Sequence, residues 1–385
     1  MYCYLSLAGS GAQIFKIIPF LGCREVKVAS ILVTGTAGFI GYHLSNILIE
    51  QGHRVHGFDG MTDYYDVALK RHRHDNLDRH KEFSRTEAML EDNAAIAGCV
   101  ANFQPDVIVH LAAQAGVRYS LENPRDYINS NVVGTFNVME AARINEVGHL
   151  LMASTSSAYG ANTVMPFIET EKADTQLTIY AATKKATENL GHSYAHLYNL
   201  PTTMFRFFSV FGPMGRPDLA LFKFVERMLR GDPIDIYNNG QMYRDFTYVT
   251  DLVRAISLLI EARPEVPSET RGAQAGDSLS PVAPFRIVNI GNSEKIGLLD
   301  FIDAIEDELG IKAERNYMGM QTGDVPATHA NTDLLQRLTG YVPSTPYQDG
   351  IREFVDWYCE YYGHRRPARA SAGRNLNNHL NTARV

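Results

Sequence analysis

An apolar run at residues 28–33 leads without a break into Thr34-Gly35-Thr36-Ala37-Gly38-Phe39-Ile40-Gly41. The run has no alternating polar face, so it reads as a strand buried on both sides in a parallel sheet. The glycines recur as G-x-x-G-x-x-G. A helix is predicted over residues 41–51, with Leu44, Ile47 and Leu48 on one face. Binding a pyrophosphate needs backbone N–H groups at a helix N-terminus and no side chain in the way. Gly35 permits the tight turn, Gly38 the close approach and Gly41 the close packing of helix on strand.

This spacing is one residue longer than G-x-G-x-x-G, so its specificity comes from the strand before it and the helix after it. A second strand is predicted over 54–59. Asp59 ends it about twenty residues past the glycines, where an acid accepts from adenine-ribose hydroxyls. A 2′-phosphate would meet that carboxylate, which favours NAD over NADP. Arg54, at the start of the strand, is expected to point elsewhere. Further strands are expected at 106–112, 150–154, 202–208 and 285–290, with helices at 126–144, 180–198 and 221–229. Alternating strands and helices define an α/β fold with a doubly wound, Rossmann-like parallel sheet.

After Phe208 the pattern loosens into a smaller, mixed α/β substrate lobe. Residues 212–218 read as a Gly- and Pro-rich loop. Residues 28–208 form the NAD-binding domain, to which 243–262 and 285–293 return. Residues 209–242 and 294–362 form the lobe. Residues 263–284 are expected to be a mobile loop, with tails at 1–27 and 363–385. The C-terminal part, 370–385, is polar, basic and aperiodic, and reads as disordered. The apolar stretch at 14–23 is interrupted by Lys16 and Pro19, is too short to span a bilayer and lacks a basic leader. Residues before about 26 are expected to be an over-long translation start or a loose tail.

The 385-residue chain carries 36 Lys and Arg against 43 Asp and Glu. That balance argues against bulk nucleic-acid or membrane-surface binding. Cys3, Cys23, Cys99 and Cys359 share no metal-ligand spacing, so no metal site is expected and a reduced cytoplasmic setting is.

Far from the glycines lies Tyr180-Ala181-Ala182-Thr183-Lys184. Four residues apart on a helix, Tyr180 and Lys184 share a face. Tyrosine ionises near pH 10. The lysine ammonium, with a positive nicotinamide ring, is expected to favour the phenolate. Tyr180 then takes a proton from a hydroxyl as hydride leaves the same carbon. The hydroxyls of Ser154-Thr155-Ser156-Ser157 end a predicted strand at the edge where α/β sites lie. Asn131 is an amide inside the helical run at 126–144, where a solvent-exposed position is an equal expectation.

With these residues the chain resembles the extended short-chain dehydrogenase/reductase superfamily, and within it the nucleotide-sugar epimerases, closest to bacterial UDP-glucuronate 4-epimerases. The resemblance covers about residues 28–362. It is carried by the glycine motif, Tyr64-Tyr65-Asp66, His110-Leu111-Ala112-Ala113, Tyr159-Gly160, Tyr180 with Lys184, Arg206-Phe207-Phe208, Tyr243-Arg244-Asp245-Phe246, Asn289-Ile290-Gly291-Asn292 and Gly323-Asp324-Val325. It implies bound NAD, a UDP-sugar in the smaller lobe and a homodimer built on a helix pair. It assigns catalysis to Tyr180, Lys184 and Thr155. The cofactor falls to Gly35, Gly38, Phe39, Ile40, Gly41, Asp59, Leu111, Ala112, Ala113 and Asn131, together with Tyr180 and Lys184. Ser156 and Ser157 fall at the sugar, Arg244 at the diphosphate and Asp324 at the uridine ribose. Gln321 stands where UDP-galactose epimerases carry arginine.

Gly212-Pro213-Met214-Gly215-Arg216-Pro217-Asp218 resembles the loop by which glucuronate epimerases receive the C6 carboxylate, with Arg216 pairing to it. Ser209 stands where those enzymes usually carry threonine. The expected reaction is C4 epimerisation of UDP-glucuronate to UDP-galacturonate, serving polysaccharide biosynthesis. Three alternatives are a UDP-glucuronate decarboxylase, an epimerase of neutral UDP-hexoses and a non-enzymatic NAD-sensing protein. Ser157 stands where decarboxylases place glutamate, Arg216 argues against a neutral hexose, and the intact Tyr180–Lys184 pair argues against a sensor.

Overall fold

The computed structural model describes residues 28–266 and 274–366. Strands β1 (Ser30–Thr34), β2 (Arg54–Asp59), β3 (Phe83–Glu87), β4 (Val107–His110), β5 (His149–Ala153) and β6 (Thr202–Phe207) alternate with helices. β7 (Ser209–Phe211), β8 (Ile234–Ile236), β9 (Tyr243–Tyr248), β10 (Phe285–Ile290), β11 (Lys295–Gly297) and β12 (Arg315–Tyr317) follow. The seven-stranded main sheet has the order β10-β6-β5-β4-β1-β2-β3. Every pair in it is parallel. The chain winds outward from β1 to β3, then returns to β4 and winds the other way. That reversal opens a crevice at the carboxyl ends of β1 and β4.

Successive residues of a strand face opposite sides. Ile31 and Val33 accordingly join a core with Leu44, Leu48, Leu252 and Ile256. Leu32 joins Ile108, Val138, Ala142 and Leu150 on the other face. The smaller lobe has its own aromatic core around Phe222, Phe246, Phe301 and Phe354. Its sheet β11-β9-β7 is mixed, and β8 pairs with β12. The helix Val249–Glu261 carries the chain from β9 back onto the main sheet, packing on the first helix, Phe39–Glu50.

Several expectations are corrected. β1 begins at Ser30, and Val28 is exposed. β4 stops at His110, so Leu111, Ala112 and Ala113 form the loop beyond it. β3 carries no apolar run. Only Phe83 in it is buried, because an edge strand needs little of its surface covered. The run at 126–144 is three pieces: Pro124–Tyr127, a π-helical turn Ile128–Gly134 and Thr135–Ile144. The wider turn brings Asn131 to full burial, so it is not the exposed residue that ordinary helical spacing allows.

Residues 274–284 are pinned to β10. Arg286 donates to both carboxylate oxygens of Asp277 at 3.0 and 3.1 Å, and Ser278 Oγ accepts from Ile287 N at 3.1 Å. The tail readings at 1–27 and 370–385, with Cys3 and Cys23, lie outside the described residues, as does 267–273 of the expected loop.

Candidate active site

The glycine turn holds three close backbone approaches. Gly35 has φ +82°, and a Cβ there would stand 2.9 Å from Ala112 N. A Cβ on Gly41 would lie 2.0 Å from Gly35 O, and one on Gly38 2.9 Å from the same oxygen. The helix Phe39–Glu50 has Gly38 at its N-cap, with no side-chain cap and no acid in its first turn. Its leading N–H groups, with Phe39 and Ile40, thus offer an uncapped positive end that suits a pyrophosphate. Asp59 is buried. It accepts from Ala37 N through Oδ2 and from Met61 N through Oδ1, both at 2.9 Å. The carboxylate therefore braces the glycine turn itself. A carboxylate accepts up to about four hydrogen bonds, so capacity for a ribose remains. Arg54 turns away and lies over the Phe103 ring at 5.4 Å.

The loop after β4 closes the other side of the crevice. Thr34 Oγ1 accepts from Leu111 N and Ala112 N, both at 3.1 Å. Asn131 Oδ1 accepts from Gln114 N at 2.8 Å. Its amide donates to Gln114 O at 3.0 Å and to Thr183 Oγ1 at 3.1 Å. Asn131 thus joins this loop to the helix Ile179–Tyr198, which carries Tyr180 and Lys184.

Thr178 caps that helix by accepting from Ala181 N at 3.1 Å, fixing Tyr180 in its first turn. Burial raises the Tyr180 pKa above its ordinary value, while a hydrogen bond with Thr155 and the positive charge of Arg216 oppose the rise. Lys184 is buried, and its Nζ donates to Ala153 O at 2.9 Å, at the end of β5. Burial lowers its pKa to about 8. Arg216, from the smaller lobe, adds a positive charge that favours the phenolate. The spacing of Tyr180 and Lys184 fixes a shared helix face but not the direction of a long side chain, and Lys184 Nζ is held by Ala153 O.

Thr155 and Tyr180 line a cavity of about 970 Å³ between the two lobes, with Ser156, Ser157, Ser209, Arg216, Arg244 and Asp324. Thr155 caps the short 3₁₀ turn Ser156–Tyr159, accepting from Ser157 N at 3.1 Å. Arg244 Nη1 donates to Tyr243 O at 2.8 Å. Gln321 falls outside the cavity wall; its carbonyl accepts from Asp324 N at 3.2 Å. The Arg216 fork is engaged by Asp218, through Nε and Nη2 at 2.9 and 2.8 Å.

Three features escaped sequence reasoning. Arg118, in the loop after β4, pairs with Asp324 at 3.2 Å and lies over the Tyr237 ring at 4.2 Å, bridging the lobes across the cavity. Tyr64 donates to Asp218 at 3.3 Å, and only the motif Tyr64-Tyr65-Asp66 hinted at it. Beneath the Ser/Thr cluster, Ser154 Oγ donates to Glu188 at 2.6 Å. Arg206 grips both oxygens of that carboxylate at 2.8 Å and lies 4.5 Å from the centre of the Tyr159 ring.

A glycine turn at the head of a parallel sheet, with a tyrosine and a threonine facing it across a two-lobed cavity, defines a dinucleotide-dependent enzyme acting on a hydroxyl-bearing substrate. Residues 31–271 match the NAD dependent epimerase/dehydratase family, and the chain belongs to that family. It is 52% identical over 331 residues to a probable UDP-glucuronate 4-epimerase of Rhizobium meliloti (strain 1021), covering 86% of this chain and 97% of that protein. It is 41% identical over 346 residues to UDP-glucuronate 4-epimerase 4 of Arabidopsis thaliana, covering 89% and 78%. Its fold is similar to the crystal structure of UDP-glucuronic acid 4-epimerase from Bacillus cereus in complex with UDP-glucuronic acid and NAD. The TM-score there is 0.77 at 28% identity, over 86% of this chain and 100% of the other.

Proposed function

We propose that this protein interconverts UDP-glucuronate and UDP-galacturonate at C4, with NAD held across the crevice of β1 and β4. The observation that carries the reading is the meeting of Thr155, Tyr180 and Arg216 in one cavity, with the Arg216 charge acting on the phenol. Bound NAD supplies a reversible hydride acceptor for C4. Tyr180 holds the proton of the 4-hydroxyl, and Thr155 keeps the phenol aimed at that oxygen. Ser156 and Ser157 meet the neighbouring sugar hydroxyls. Arg244 and Arg118 face the diphosphate, and Asp324 the uridine ribose. The sugar turns about its diphosphate linkage and presents its other face before the proton and hydride return.

The 4-keto uronate is a β-keto acid and loses CO₂ when its carboxylate aligns with the carbonyl π system. Arg216 and Ser209 hold the carboxylate out of that alignment. Ser157 lines the cavity at the position where a decarboxylase places its glutamate, which supports epimerisation over decarboxylation. Apolar side chains exposed along the two helices at 124–144 and 179–198, among them Ile128, Val133, Phe136 and Leu197, support a homodimer built on that pair. Light scattering of the purified protein tests it. Among the described residues no helix is long and apolar enough to cross a membrane, and Cys99 and Cys359 are buried and unpaired. The substrate and cofactor chemistry supports action in the cytoplasm.

Proton NMR of UDP-glucuronate incubated with the protein and NAD⁺ tests the function. Appearance of UDP-galacturonate with the carboxyl carbon retained is the expected result. Release of CO₂ with a UDP-pentose reassigns the protein to decarboxylation. No change in the uronate, with turnover of UDP-glucose, reassigns it to neutral sugars.

A further inference from the structure

The side edge of the Arg216 guanidinium, Nε with Nη2, is taken by the Asp218 carboxylate. That edge uses two of about five N–H groups. Nη1 and the outer N–H of Nη2, the end edge, remain for a second planar acceptor. The two side chains are 24% and 25% exposed, both to the cavity.

Asp218 is itself fixed from the other lobe. Tyr64 donates to its Oδ2 at 3.3 Å and packs against Tyr119 at 4.9 Å. The backbone before Arg216 is tied to the glycine turn by the fully buried Arg73. That side chain donates through Nη1 to Ala37 O and through Nη2 to Met214 O, each at 2.7 Å. His43 Nε2 meets Pro213 O at 2.8 Å. The loop and the fork are thus set before any substrate arrives.

We propose that Asp218 is a positioning residue for uronate recognition, gripping the side edge of Arg216 so that its end edge faces the sugar carboxylate in one orientation. This rests on the reading of the protein as a UDP-uronate epimerase. Asp218 adds no attraction for the substrate, because its negative charge offsets that of Arg216. Its contribution is geometric: it removes rotamer freedom from the guanidinium before binding. A loosened Arg216 lets the carboxylate swing with a change of ring pucker until the C5–C6 bond stands perpendicular to the C4 carbonyl plane. That bond then breaks, its electron pair moves into the carbonyl as an enolate, CO₂ leaves, and a proton adds at C5 to give the 4-ketopentose.

Charge and geometry predict opposite effects, so one substitution separates them. Asp218→Asn removes an acidic neighbour of the incoming carboxylate and also breaks the fork. With UDP-glucuronate carbon-labelled at C6, full-length Asp218→Asn is expected to show an unchanged or lower KM, slower epimerisation and a rise of about tenfold in the fraction of turnovers ending as labelled CO₂. Tyr64→Phe is expected to move the same partition in the same direction by less, and it decides the matter if Asp218→Asn does not fold. A variant that loses activity with a raised KM and no extra CO₂ overturns the proposal, as does one with wild-type partition. Wild-type protein that leaves UDP-glucuronate unconverted overturns the parent reading and this one with it.

Discussion

Lys184 lies one turn beyond Tyr180 on the same helix, yet its ammonium donates to the Ala153 carbonyl at the end of β5. The lysine therefore joins the acid/base helix to the strand that presents Thr155, and burial holds its pKa at about 8. It is charged at pH 7 and loses its proton as the pH rises through that value. We predict that kcat/KM for UDP-glucuronate turns down above about pH 8. In Lys184→Met the residual rate should lack that limb. An unchanged limb in the variant would assign it to another group.

Tyr180→Phe keeps the ring that packs edge-on against Tyr127 at 6.1 Å but removes the proton carrier. General acid–base catalysis contributes about 10²–10⁴-fold. A loss of that size in kcat is expected, with UDP-sugar affinity, measured by calorimetry, little changed. Loss of binding as well would give the hydroxyl a structural role.

Arg216→Ala removes the cation assigned to the uronate and leaves the half-buried Asp218 without its guanidinium partner. A hydrogen bond to a charged group contributes about 1.5–3 kcal/mol, so kcat/KM for UDP-glucuronate should fall by roughly ten- to a hundredfold or more. Full activity would end the carboxylate assignment.

Glu188 and Arg206 are each 1% exposed and paired through two hydrogen bonds. Glu188→Ala leaves the guanidinium buried without its partner and should cost about 3–5 kcal/mol in urea unfolding. Adding Arg206→Met should recover much of it. No recovery would place the main contribution of Glu188 in its bond from Ser154 instead.

Glu169, buried and accepting from Asn289 N at 2.9 Å, is pushed up to about 7 by its burial, against the favourable N–H and the charges of Arg206 and Arg337. Between its ordinary value and about 7 the unfolded chain has lost this proton and the folded one keeps it. Stability therefore falls as pH rises across that window, by about 3 kcal/mol at most. Glu169→Gln should flatten that part of the profile between pH 5 and 8. A parallel profile would assign the slope to other groups.

The strands around the glycine turn were legible because buried parallel strands are apolar throughout and glycines mark where backbone meets backbone. β3 was not, since an edge strand carries no such pattern. Residues 274–284 look loose in composition yet are tied along β10 by Asp277 and Ser278. Tyr180 and Lys184 could be placed on one helix face from their spacing, because an α-helix repeats every 3.6 residues.

What the sequence by itself determined was the set of chemical groups: the glycine turn, the phenol, the hydroxyl cluster and the arginines. Their partners were decided by tertiary structure alone. Asp218 faces Arg216, Arg118 reaches Asp324 across the cavity, and Asn131 turns inward on a π-helical turn. Partner choice is a property of long side chains meeting across a cavity, where rotamers and packing decide. No local spacing encodes that.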